Sequence, residues 1–282
     1  MSSAEAPANA AQIDYWNATA GEVWASFQEQ LDRQLEPLGR ETIRVLAPGR
    51  GEHVLDIGCG AGRTTLDLAS EIGPEGHVVG IDISRPMLEI ARRRPLSTAG
   101  GRVEFRECDA QTGDVGVGFD AAFSRFGVMF FSDPSAAFAN IRHALKPAGR
   151  LTFVCWRPLT ENPWMLGPIQ ASLPFLPPMP PPDPLAPGPF AFADPERVRA
   201  ILAAAGFGAV TIEPFDTRVG GGDLEQSVTL ALRIGPLGAA LRDNPEIADK
   251  AVDAVRQALA GYVTPQGVQA PAATWIVSAR NG

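Results

Sequence analysis

The sequence predicts an α/β protein in which a mostly parallel sheet is covered by helices on both faces, and three observations predict it. Between His53 and Trp156, short runs rich in β-branched and aromatic residues alternate with helical patterns, as expected of such a sheet. The first run, Val54-Leu55-Asp56-Ile57, passes directly into the glycine loop Gly58-Cys59-Gly60-Ala61-Gly62 and then into an amphipathic helix. The second run ends in Asp82, about 24 residues beyond Gly58, the separation at which an acid meets the ribose of a nucleoside held on such a loop.

Taken in order, Ile13 to Leu46 carries one or two helical patterns with an aromatic-rich lead-in of Tyr15, Trp16, Trp24 and Phe27. Five strands follow, His53 to Ile57, His77 to Asp82, Arg102 to Glu107, Phe119 to Ser124 and Arg150 to Trp156. Helices lie between them near Thr64 to Ile72, Arg85 to Arg94 and Ser135 to Leu145. Asp133-Pro134 starts the last helix as an N-cap with proline in the first turn, and Pro147-Ala148-Gly149 stops it. Pro158 to Pro189 is too dense in proline for helix or central strand, so residues 158–193 read as a lid with short helical turns at most. The alternation resumes with a helix from Asp194 to Ala205 ended by Gly206, a strand near Ala209 to Phe215 and a final strand near Thr274 to Ala279. Residues 222–264 form a helical insertion between these strands, Leu224 to Ile234 and Pro245 to Tyr262. There Ile247, Ala251, Val255 and Leu259 recur at helical spacing and face the core or the lid.

Composition narrows the function. With 282 residues and 45 % hydrophobic content the chain can bury a sizeable core. Its formal net charge of −8 argues against nucleic acid and anionic membrane surfaces, whose binding depends on clustered Lys and Arg. Lysine is confined to Lys146 and Lys250, which with the many Ala, Gly and Pro residues reads as GC-rich coding. Met1 to Gln12 has neither a basic start nor an apolar run, and no stretch approaches the roughly 20 apolar residues of a membrane span. A cytoplasmic setting is expected, with Cys59, Cys108 and Cys155 as free thiols.

Glycines let backbone amides approach a ligand, and the following helix points its partly positive end at the same place. The dinucleotide fingerprint Gly-x-Gly-x-x-Gly is met by Gly58 and Gly60, but its third position is Arg63, which argues against NAD or FAD. Strand three ends in Glu107-Cys108-Asp109-Ala110 at the same edge. There Asp109 can accept from the exocyclic amine of adenine while the Ala110 amide serves a ring nitrogen.

The segments Val54 to Gly62, Val79-Gly80-Ile81-Asp82-Ile83-Ser84, Cys108-Asp109-Ala110, Phe119 to Phe131 and Leu145 to Leu151 occur in order over roughly residues 40 to 157. Together they resemble the class I S-adenosylmethionine-dependent methyltransferases of the small-molecule type. The resemblance implies a Rossmann-like seven-stranded sheet in the order 3-2-1-4-5-7-6 with the last strand antiparallel. It divides the chain into an N-terminal helical cap, 1–47, and a methyltransferase domain, 48–282. It assigns the cofactor S-adenosylmethionine, with product S-adenosylhomocysteine, to a set that begins with Asp56 and the loop Gly58, Cys59 and Gly60 at the methionine part. Asp82 would hold the ribose, Ile83 and Met87 would pack on adenine, and Asp109 and Ala110 would read its edge. Ser124 and Arg125 sit where backbone carbonyls receive the methionine ammonium, and Trp24 with Trp16 would cover the methionine end.

A sulfonium methyl is already electrophilic, so the protein mainly has to align a nucleophile and exclude water. His53 and His77 lie at strand starts and His143 near the end of a helix, so no histidine falls at the active edge. Glu161, just past strand five, is the candidate proton acceptor. Trp16, Phe126, Trp156 and Trp164 are candidates for a substrate pocket, and Phe175, Phe190 and Phe192 lie in the lid. Amino-directed nucleic-acid methylases carry Asn or Asp-Pro-Pro-Tyr after strand four, whereas here the stretch is Ser124-Arg125-Phe126-Gly127. The acceptor is therefore expected to be a small organic molecule. The cysteines end strands one, three and five, and the outer two would be on the order of 19 Å apart, too far to share a metal; no metal is expected. A non-catalytic cofactor-binding protein and an NAD-dependent oxidoreductase remain as other readings, and the oligomeric state stays open, a homodimer included.

Overall fold

The computed structural model describes residues 9–97, 99–178, 183–220, 222–242 and 244–282. Three helices precede the sheet, α1 (Ala10–Asn17), α2 (Thr19–Ser26) and α3 (Gln28–Leu46). The longest, α3, presents Leu31, Leu35, Leu38, Ile43 and Leu46 inward at helical spacing. Leu35 and Leu38 belong to the main core, so this helix is built into the domain.

The sheet contains β1 (His53–Ile57), β2 (His77–Asp82), β3 (Arg102–Glu107), β4 (Phe119–Arg125), β5 (Leu145–Trp156), β6 (Phe207–Gly220), β7 (Val263–Thr264) and β8 (Gly267–Asn281). Its order is β3-β2-β1-β4-β5-β8-β6, and β7 pairs only with the start of β8. The first five strands are parallel, and β8 runs antiparallel to both β5 and β6. This is the seven-strand order expected from the sequence, plus the short β7.

Helices α4 (Arg63–Ile72), α5 (Arg85–Arg93), α6 (Pro134–Ala144) and α8 (Pro195–Ala204) cover the sheet. Capping fixes the starts of two of them: Asp133 accepts from the Ala136 amide, and Asp194 from the Glu196 amide. One face buries Leu55, Ile57, Phe138 and Phe153, the other Val54, Leu68, Ile72, Val78 and Phe123.

Three expectations are corrected. The proline-dense segment holds a ten-residue helix, α7 (Pro163–Ser172), where short turns at most were expected. Pro163 sits at its first position, where a missing N–H is costless, and Pro168 is accommodated inside it. Asn162, fully buried, docks the start of α7 onto β8: its side chain accepts from the Ala273 amide at 3.0 Å and donates to the Ala273 carbonyl at 3.1 Å. Residues 179–182 of the expected lid lie outside the described residues.

The insertion contains three helices, α9 (Leu224–Arg233), α10 (Gly235–Arg242) and α11 (Pro245–Ala260), where two were expected. Gly235-Pro236 reads as a breaker, but a proline near a helix start is tolerated. Ile247, Ala251, Val255 and Leu259 join Val228, Leu237 and Leu241 in a core of their own, on which Ile169 of α7 packs. The helical block thus faces the lid helix.

Finally, β6 and β8 are far longer than expected, paired from Phe207↔Asn281 to Gly220↔Gln269. Their extension carries Val219, Gly220, Val268 and Ala270 beyond the sheet to the cavity described next.

Candidate active site

The carboxyl ends of β1, β2 and β4 open onto two adjoining cavities of about 180 and about 130 Å³. Trp24, Gly58, Gly60, Met87, Arg125, Phe126 and Phe130 line both, so the two spaces meet over the glycine loop. Three loop glycines have positive φ: Gly58 at 66°, Gly60 at 53° and Gly62 at 81°.

They do different jobs. A Cβ on Gly58 would lie 2.7 Å from the Gly127 Cα, so this glycine lets the loop touch the turn after β4. A Cβ on Gly60 would meet only the Met87 methyl, at 2.9 Å. One on Gly62 would come within 2.7 Å of the Phe105 ring and 2.9 Å of the Ala91 Cβ. Gly62 therefore does the helix-to-sheet packing that the dinucleotide fingerprint gives to a glycine one place later.

Asp82 ends β2 beside the smaller cavity. One oxygen accepts from the Gly60 amide at 2.7 Å and the other from the Ser84 amide at 2.8 Å. Burial raises its pKa, and the backbone amides of Ser84, Gly60 and Ile83 oppose the shift. The acid thus holds the loop in shape as well as facing the cavity. Ile83, Met87, Cys108, Asp109 and Ala110 line the same space. Asp109 is largely engaged already, accepting from the Gln111 amide at 3.0 Å, the Thr112 hydroxyl at 3.1 Å and the Asn9 amide group at 3.2 Å.

Asp56 and Ser124 lie behind the cavities and line neither. Asp56 accepts from the hydroxyls of Thr64 and Thr65 at 2.8 and 2.7 Å, tying β1 to the start of α4. Burial pushes its pKa up to about 6, against those two hydrogen bonds. Its Oδ1 is buried without a hydrogen-bond partner among the described residues. The Ser124 hydroxyl donates to the Ile57 carbonyl at 2.7 Å, joining β4 to β1.

Arg125 does reach both cavities. It belongs to a buried ion cluster with α3: its guanidinium lies 3.7 Å from Asp32 Oδ1, while Arg94 binds Asp32 Oδ2. Burial lowers the Arg125 pKa, opposed chiefly by Asp32. Cys59 lines the larger cavity, and burial, with Asp82 and Asp56 nearby, raises its thiol pKa well above the ordinary value.

The larger cavity is mostly apolar. Phe126, at φ 66°, stacks on Trp156 with centroids 4.2 Å apart and planes 10° apart, and Trp164 lies 5.4 Å from Trp156. Leu230, Ala231, Ile234 and Leu237 of the insertion and Met165 and Pro168 of α7 enclose it. Trp16, expected over the methionine end and also in a substrate pocket, lines the smaller cavity and not the larger one, between Trp24 at 5.6 Å and Phe130 at 5.2 Å. The reason is the α1 to α2 turn: Asn17 donates to the Ile83 carbonyl and the Ser84 hydroxyl donates to the Trp16 carbonyl, pinning the turn over β2.

Glu161 is not brought to the site. It is exposed, lines neither cavity and pairs with Arg157. None of the lid phenylalanines lines a cavity either: Phe192 is fully buried against Phe138 and Phe153, Phe190 packs beside that core, and Phe175 is exposed. The three histidines also lie outside both cavities. Among the described residues no cluster of three or more His, Cys, Asp or Glu is placed to hold a metal.

Sequence reasoning missed Asn9, Gln28, Asp32 and Gln34, together with the aliphatic wall of the insertion. Asn9 spans the gap, donating to Asp109 and accepting from the Ser132 hydroxyl at 2.8 Å. Asp32 carried one signal, an acid on the inward face of an amphipathic helix.

Comparison with known proteins agrees with this geometry. A family model described as "Methyltransferase domain" matches residues 54–149. The chain is 34 % identical over 143 residues to aklanonic acid methyltransferase DauC of Streptomyces sp. strain C5, covering 50 % of this chain and 60 % of that one. It is 31 % identical over 175 residues to nocamycin O-methyltransferase of Saccharothrix syringae, covering 61 % and 60 %. The chain thus spans about three fifths of the length of these relatives. Its fold is similar to that of phosphoethanolamine N-methyltransferase 2 of Haemonchus contortus, with a TM-score of 0.55 at 18 % identity, covering 95 % of this chain and 59 % of the other. The matched motifs, the strand order and the glycine loop under Asp82 agree: residues 54–149 match a methyltransferase domain, and the chain is similar in sequence and fold to S-adenosylmethionine-dependent methyltransferases.

Proposed function

We propose that the protein transfers a methyl group from S-adenosylmethionine to a small organic acceptor, mainly by proximity and orientation. The observation that carries this reading is the joined pair of cavities, one beside Asp82 and Asp109 and one walled by apolar side chains, meeting at Gly58 and Gly60. The residues fit the cofactor. Gly60 brings its backbone to the cavity without a side chain, Asp82 lines the smaller cavity, and Ile83, Met87 and Ala110 offer apolar surface to a base. Of the two positions at the end of β4 that the resemblance gives to the methionine ammonium, Arg125 lines both cavities. Once bound, the cofactor supplies a methyl group on a positively charged sulfur.

In this reading residues 1–47 cap the cofactor through Trp16, Trp24 and Asn9, while residues 158–193 and 222–264 enclose the acceptor. Phe126, Trp156 and Trp164 exclude water and orient the acceptor, which is what a displacement with a ready leaving group requires. The names of two relatives, an O-methyltransferase and a methyltransferase of an acid, favour oxygen as the reacting atom. The net charge of −8 argues against nucleic-acid and anionic-membrane partners, and the free Cys59, Cys108 and Cys155 suit a reducing, cytoplasmic setting; no described helix is long and apolar enough to cross a membrane. Light scattering reads whether a homodimer forms.

Transfer of labelled methyl from S-adenosylmethionine to an acceptor panel tests the activity. Thermal shift tests the site: S-adenosylhomocysteine raises the melting temperature and NADH does not. Stabilisation by NADH alone overturns the proposal, and cofactor binding without product across the panel turns it into a binding protein.

A further inference from the structure

We infer that the acceptor is an oxygen acid, a phenol, enol or carboxylic acid on an apolar ring-bearing body, and that it enters the site already ionised. The inference rests on the methyl-transfer reading above and adds the acceptor's chemical class.

Proton chemistry carries it. A neutral alcohol must lose a proton to a base as it attacks, and a protonated amine must lose one before its lone pair is free to attack. Among the described residues lining the larger cavity, the titratable ones are Asp32, Arg125 and Cys59. Asp32 is already held between two guanidinium groups, Arg94 and Arg125, which claim its two oxygens. Arg125 has no lone pair to offer. Burial keeps the Cys59 thiol protonated. In the adjoining cavity, Asp82 spends both oxygens on backbone amides and Asp109 accepts from Asn9, Gln111 and Thr112. No His, Glu, Lys or Tyr among the described residues lines either cavity.

An acid needs no such base. Its proton goes to water before it enters, and an oxygen lone pair forms the new bond to the methyl carbon. The electron pair of the broken carbon–sulfur bond stays on sulfur, leaving a neutral thioether and a methyl ether or ester.

Charge and shape agree. With Asp32 claimed by two arginines, the wall has no spare anion to pair with a cationic amine, and burying an unpaired charge is costly. An anion instead finds the cationic sulfur opposite it. The stacked Phe126 and Trp156 rings, with Trp164 beside them, face an aliphatic wall of Leu230, Ala231 and Ile234. Such walls favour a ring system over a flexible polar chain.

Binding tests this without turnover. The protein loaded with S-adenosylhomocysteine is titrated with naphthols and naphthoic acids whose pKa values run from about 4 to about 10, followed by tryptophan fluorescence. Affinity is expected to fall about tenfold per pH unit below each ligand's own pKa and to level above it. The kcat/KM for labelled methyl transfer is expected to follow the same midpoints, moving with the acceptor. A midpoint common to all acceptors reports a protein base and overturns the inference while leaving methyl transfer standing. Equal transfer to naphthylmethylamine or naphthylmethanol does the same. Failure of S-adenosylhomocysteine to bind overturns the methyl-transfer reading, and the inference with it.

Discussion

Asp82→Ala should damage the protein in two separable ways. The substitution removes the acceptors of the Gly60 amide, at 2.7 Å, and the Ser84 amide, at 2.8 Å. A buried donor left unsatisfied costs about 1 to 3 kcal/mol. Ser84 is fully buried and should incur that cost in full, while the Gly60 amide faces a cavity that water can enter. Together they give a stability loss of about 2 to 3 kcal/mol. Asp82→Asn, which keeps one accepting oxygen, should lose about half as much. Affinity for S-adenosylhomocysteine should fall in addition, by about 10- to 100-fold, because the loop loses its shape and the ribose its acceptor. Urea denaturation without ligand reads the first effect and calorimetric titration the second. If affinity falls while stability stays at the wild-type value, the carboxylate does not hold the loop. If both are unchanged, it is only a surface acid.

Three further outcomes follow from the same geometry. Asp56 has its pKa raised from 3.8 to about 6, so its protonated form favours the folded state. That contribution is complete below the unfolded value and is lost as pH rises toward 6, a swing of about 3 kcal/mol. Denaturation from pH 4 to 7 should show this decline in the wild type and a flatter curve for Asp56→Asn; identical curves refute it. Asp32→Ala leaves Arg94 and Arg125 partly buried without their counter-ion and should cost about 3 to 5 kcal/mol, the usual result of breaking a buried pair; a loss under about 1 kcal/mol would mean the cluster is solvated. Gly62→Ala should cost about 2 to 4 kcal/mol, from positive φ plus overlap with Phe105 and Ala91. Gly60→Ala, meeting only the mobile end of Met87, should cost less stability and more cofactor affinity; the reverse ranking sinks the division of labour between the two glycines.

The division between sequence and tertiary structure follows the range of the forces involved. The glycine loop and the acids at the ends of β2 and β3 were legible because each rests on local pattern, alternation, turn chemistry and spacing along one strand-loop-helix unit, whereas the strand order came only through the family resemblance. Asp56 and Ser124 were named on the same basis, yet their side chains turn away from the cavities, since which face of a strand opens to ligand depends on what packs behind it. The lid misled for a local reason, because proline excludes helix interiors but is welcome at a helix start, as at Pro163.

What the sequence determined by itself was the side of the site at the smaller cavity, carried on contiguous motifs between Val54 and Ala110. The larger cavity was decided only by the tertiary structure. Its wall comes from α3, α7, α9, α10 and the far ends of β6 and β8, segments separated by up to some two hundred residues and joined only by folding. The Asp32 cluster is the plainest case, for Arg94 reaches it from the end of α5 and Arg125 from the end of β4. Burial and counter-charge, unlike periodicity, are properties of the assembled core, and here they decide which charged groups at the cavity are already paired.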